Sequence, residues 1–138
     1  MTIDGWRERA DTLTEKQYGT RLWRDFQDAL ECLRIGDRDS VEAWVEETEP
    51  QFIRTYEKFE KAGHGEERPG LSERAQAAQV LLMEGVELWL EALNGLREGE
   101  PESDILANAE HGQRLLIVVQ IIKKETPDPQ NLIEAWGF

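Results

Sequence analysis

Base is what this chain is shortest of, with 16 Lys and Arg against 29 Asp and Glu and a formal net charge of −13. Nucleic acid and anionic membrane surfaces are gripped by clustered cations that displace counterions from phosphates. No such cluster occurs, so neither is expected as a partner. Cysteine is limited to Cys32, which excludes an intramolecular disulfide and gives no sign of an oxidising compartment. Long apolar runs are missing too. The longest, Leu115 to Val119, falls far short of the roughly 18 to 20 residues that span a bilayer. Residues Met1 to Arg7 hold no apolar stretch of the kind an export signal needs, and the expected location is the cytoplasm. Only two histidines occur, His64 and His111, and neither has a Glu three residues before it. G-x-S-x-G, a phosphate-cradling glycine loop and C-x-x-C are all absent. Nothing in the residue pattern indicates an enzyme, a metal or a cofactor.

What the chain does have is helical period. Its 138 residues suit one domain with one core, with residues 1–13 as an N-terminal segment and 127–138 as a docking tail. From Thr14 to Gly36, Tyr18, Leu22, Trp23, Phe26, Ala29, Leu30 and Leu33 recur three and four apart. Thr14 with Gln17 fits a capping box, and Gly36 fits a stop. A second segment opens at Asp39 or Ser40 and keeps one phase through Val41, Trp44, Thr48, Phe52, Tyr56 and Phe59. That continuity predicts one helix kinked at Pro50 rather than two, a fresh start capped by Thr48 being the competing reading. After the glycine-rich stretch Gly63 to Gly70, Ser72 caps a third helix with the clearest stripe: Ala75, Ala78, Leu82, Val86, Trp89, Leu93 and Leu96. A turn at Glu98-Gly99-Glu100-Pro101 leads into a fourth helix from Ser103 to about Lys124. The expected fold is all-α, an antiparallel up-down four-helix bundle with a short C-terminal accessory helix. In that tail Asp128 can cap, Pro129 suits the first turn, and Leu132, Ile133 and Trp136 share a face.

Two features bear on function. Between Glu84 and Glu110 eight acids accompany the single base Arg97. At about 100° per residue Glu84, Glu87, Glu91 and Glu98 point away from the apolar stripe, so they read as a solvated face rather than an inward metal cage. The second feature is the fourth helix. Ile105, Leu115, Val119 and Ile122 form its core stripe, while Leu106, Ile117 and Ile121 lie about 140° to 200° away. A helix apolar all round is buried all round. The cover can be the C-terminal tail, a second copy of the chain or another protein. Of five tryptophans, Trp44 and Trp89 sit on core stripes and Trp23 borders one, while Trp6 and Trp136 lie in terminal segments, where packing onto the parent domain is weighed above interface duty.

These readings converge on a non-catalytic protein-protein interaction module, such as an adaptor, chaperone-like protein or inhibitor. Its expected contact residues are Leu106, Ile117, Ile121, Trp136 and Phe138. Its expected partner is a protein, itself included as a homodimer. A small-molecule or metal-binding bundle lined by Trp89, Tyr56 and His111 is the alternative, and an acidic mimic of nucleic acid ranks third.

Overall fold

The computed structural model describes residues 2–19, 21–62 and 73–125. Among these described residues, five α-helices and one 3-10 turn make up an all-α bundle: α1 Ile3–Asp11, the turn Glu15–Gln17, α2 Arg21–Arg34, α3 Arg38–Ala62, α4 Glu73–Glu98 and α5 Glu102–Glu125. No strand occurs among the described residues. The helix boundaries have local causes. Gly36 at φ 81° takes the left-handed conformation that ends α2, and the Asp37 N–H closes back on the Cys32 carbonyl at 2.8 Å. Asp37 then caps α3, accepting from the Ser40 N–H at 3.2 Å and the Ser40 hydroxyl at 2.6 Å. Those bonds hold the Asp37 carboxyl below its ordinary pKa. Gly99 at φ 69° ends α4 in the same manner, with the Glu100 N–H donating to the Gly95 carbonyl at 2.9 Å.

The single-helix reading across Pro50 holds, for α3 runs unbroken through it. Proline lacks the N–H that Glu46 would accept, and both residues are solvent-exposed, so the lost bond lies on the wet side. The first segment differs from expectation. The Thr14–Gln17 capping box is present, but it closes one 3-10 turn, and α2 begins only at Arg21. The chain breaks so that Tyr18 can turn inward, where it is 1% exposed. Residues 3–11, expected only as a terminal segment, form α1, whose Thr2 hydroxyl accepts from the Gly5 N–H at 3.1 Å. Ser72, His64 with its glycine-rich stretch, and the tail helix at 128–138 lie outside the described residues.

Cross-contacts order the helices. Glu49 meets Arg97, Phe52 stacks on Trp89 and Tyr56 meets Glu87, so α3 and α4 run antiparallel. Gly85 lies against Gly112 and Leu116 while Gly95 lies against Ile105, which makes α4 and α5 antiparallel and close. Arg34 pairs with Glu102 across to α5. At the centre Trp89 is fully buried and meets Trp23, Phe26 and Phe52 at centroid distances of 6.3, 5.3 and 5.9 Å. Helix α1 packs on α5 and α4. Measured from the α4–α5 contact at Gly85, Trp89, Leu82 and Leu93 lie about 40° to 80° to one side, toward α2 and α3, whereas Glu84, the partner of Arg7, lies about 100° to the other. The α4–α5 pair is therefore a middle layer, with α2 and α3 on one face and α1 on the opposite face.

Candidate functional site

The apolar side of α5 that faces away from its core stripe is the candidate surface. Leu106, Ile117 and Ile121 are each half-buried and packed against the core, so their bases are covered and part of each side chain meets solvent. Leu106 and Leu30 line a shallow cleft with Glu15, Gln27, Arg34 and Glu110. One ion pair and one hydrogen bond rim it: Arg34 Nε donates to Glu102 at 2.6 Å and Gln27 Nε2 donates to Glu15 at 2.7 Å. Trp136 and Phe138 lie outside the described residues.

One part of the cover on α5 comes from its own chain. The stretch between α1 and α2 crosses beside α5, and Tyr18 pins it there. Gln113 donates to the Tyr18 carbonyl at 3.1 Å, Arg114 Nε donates to the Tyr18 hydroxyl at 2.5 Å, and the Arg114 guanidinium sits 5.7 Å from the ring centroid. Arg114 also reaches Glu110 at 3.4 Å. Helix α1 also packs on α5, and by helical angle Leu115, Val118 and Ile122, all fully buried, turn to the side that α1 takes. Much of the all-round apolarity of α5 thus answers to α4 on one side and α1 on another. Sequence reasoning missed this, although Ile3, Trp6 and Ala10 already stood at helical spacing. Trp6 is 1% exposed, an anchor on its own domain.

The acids behave largely as a solvated face. Glu87, Glu91 and Glu98 are exposed, and Glu87 accepts from the Tyr56 hydroxyl at 3.1 Å, which raises the phenol above its ordinary pKa. Glu84 is the exception, bound by Arg7, whose guanidinium is held above its ordinary pKa by that hydrogen bond. Such partly exposed pairs contribute about 0.2 to 1 kcal/mol. His111 is exposed, Cys32 is half-buried, and Trp89 is enclosed by aromatic rings. The three residues weighed as the lining of an interior ligand site therefore do not converge: Trp89 is central, Tyr56 faces Glu87, and His111 is outside. Among the described residues, no group of three or more His, Cys, Asp or Glu could hold a metal ion, and no helix is long and apolar enough to cross a membrane. No family model matches the chain, and no curated protein or solved structure matches it.

Proposed function

We propose that the protein is a non-catalytic interaction module that buries Leu106, Ile117 and Ile121 of α5, together with Trp136 and Phe138, against a protein partner, a second copy of the chain foremost. The observation carrying this reading is the exposed remainder of three large aliphatics on one side of α5. Each Å² of apolar surface removed from water contributes about 25 cal/mol, so a partner that finishes their burial gains where water cannot. The net charge of −13 steers basic partners, whose association falls with salt, and sets two copies of the chain against each other, so that self-association strengthens as salt screens the repulsion. Nucleic acid and membranes play no part in this role, and the setting is the cytoplasm. The test is sedimentation of the full chain at micromolar concentration. A dimer is expected, and Ile117→Asp is expected to weaken it at least tenfold. A monomer at all concentrations, or association untouched by the substitution, would remove α5 as the interface.

The same reading assigns no resident metal. Elemental analysis after ordinary purification is expected to find well under one equivalent of iron, zinc or manganese. A stoichiometric metal that survives dialysis would favour the metal-binding alternative instead.

A further inference from the structure

Helix α1 is the shortest of the five described helices, and its buried Trp6 and Ala10 join the common core. It has nine residues, below the roughly 12 to 15 at which an isolated helix holds together in water, so its order depends on docking. It packs on α4 and α5, and the aromatic cluster of Tyr18, Trp23, Phe26, Trp44, Phe52 and Trp89 contains no residue from it. The surface beneath α1 is nonetheless built as a core. Ala77 and Leu81 of α4 and Leu115, Val118 and Ile122 of α5 are fully buried, and by helical angle they turn away from α2 and α3. Onto them α1 presents Ile3, Trp6 and Ala10, continued by the buried Leu13. That is the anchor spacing of a helix laid in a groove. Arg7, next to the Trp6 anchor, is met by Glu84 at the groove's edge.

We propose that this face of the α4–α5 pair is a helix-binding groove that α1 occupies in cis, and that its exchangeable occupant is a basic amphipathic helix of another protein, carrying an aliphatic, a large aromatic and a small residue at the spacing of Ile3, Trp6 and Ala10. Charge argues for a more basic occupant than α1 itself. The exposed positions of α1 include Glu8 and Asp11, both repelled by a protein of net charge −13, whereas a base at either position is attracted. The site is distinct from the Leu106, Ile117 and Ile121 side of α5 and stands or falls separately from it. The chain between Asp11 and Arg21, tied down through Tyr18, keeps α1 at high local concentration, so an incoming helix must compete with it.

The test uses the full chain, wild type and Trp6→Ala, with a fluorescent synthetic peptide of residues 2–13 in which Glu8 and Asp11 are replaced by Lys. Fluorescence anisotropy is expected to show the Trp6→Ala chain binding the peptide at least tenfold more tightly than wild type. Binding should weaken in 0.5 M salt and disappear when Trp6 in the peptide is replaced by Ala. Equal affinity for both chains, or no binding to either at 100 μM, would overturn the proposal. So would tighter binding of the unmodified peptide than of the basic one. Native-state hydrogen exchange on the wild-type chain gives a reading that does not depend on the variant folding. Amides of α1 are expected to exchange through an opening that leaves α4 and α5 protected, and α1 opening only together with α4 would also overturn it. Chains that exchange α1 between copies, seen as a dimer lost in Trp6→Ala but kept in Ile117→Asp, would make the second copy the occupant and rule out the foreign helix.

Discussion

Trp89→Ala is expected to destabilise the fold by about 3 to 5 kcal/mol, the range for removing a large aromatic from a packed core. A domain of ordinary stability has about 5 to 15 kcal/mol in total, so the variant forfeits a large share of it. The reason is position as well as size. Trp89 is 0% exposed and is the ring that α2, α3 and α4 share: edge-on to Trp23 and Phe26 from α2, and stacked with Phe52 from α3 at an interplanar angle of 15°. Each aromatic pair contributes about 0.5 to 1.5 kcal/mol beyond area burial, so deletion loses several at once and leaves a cavity that three helices cannot jointly close. Urea denaturation followed by far-ultraviolet circular dichroism measures it. A loss below about 1 kcal/mol would mean that the three helices do not converge on this side chain.

The stripe that placed Trp89 at the centre was legible in the sequence because α4 repeats one apolar phase for its whole length, and period is all that a core helix needs to declare itself. The same held for α3, whose phase survives Pro50 because the missing N–H faces water. The start of the chain was less legible for two physical reasons. A capping box specifies a helical start but not how far the helix runs, and Tyr18 is drawn out of helical phase by contacts with Gln113 and Arg114, which lie far along the chain. Helix α1 could not be read as covering α5 because Ile3, Trp6 and Ala10 form too short a pattern to be distinguished from a loose terminus. Without that cover, Leu115 and Ile122 stood on the core stripe already, but nothing assigned a covering element to the neighbouring Val118. Of the candidate site, the side of α5 bearing Leu106, Ile117 and Ile121 was legible from helical angle. How far each is already covered depends on tertiary packing that no angle contains.

Gly112→Val is expected to cost about 3 kcal/mol, the upper part of the range for overpacking, even though glycine is about 1 kcal/mol worse than alanine within a helix. The glycines of α4 and α5 went unread in the sequence because, inside a periodic pattern, they register only as poor helix formers. Their spacing held the signal, since Ala78, Gly85 and Ala92 recur every seven residues on the face that α5 meets. A Cβ at Gly112 would come within 3.0 Å of both the Gly85 carbonyl oxygen and Trp89 Cδ1, and 3.3 Å from Leu88 Cβ. The carbonyl is backbone and cannot rotate aside, and Trp89 is held by the aromatic cluster, so the two helices themselves must part. Gly112→Ala tests the balance more finely. Relief of the glycine penalty opposes the clash, and the expected outcome is net destabilisation, smaller than that of valine. Gly19→Ala supplies the contrast, because a Cβ there meets nothing within 4 Å, and its stability is expected to stay within about 0.5 kcal/mol of wild type. Denaturant midpoints for the three variants decide the matter. Gly112→Ala more stable than wild type by about 1 kcal/mol would show helix propensity acting alone, and α4 and α5 would then lie farther apart than the Gly85–Gly112 contact requires.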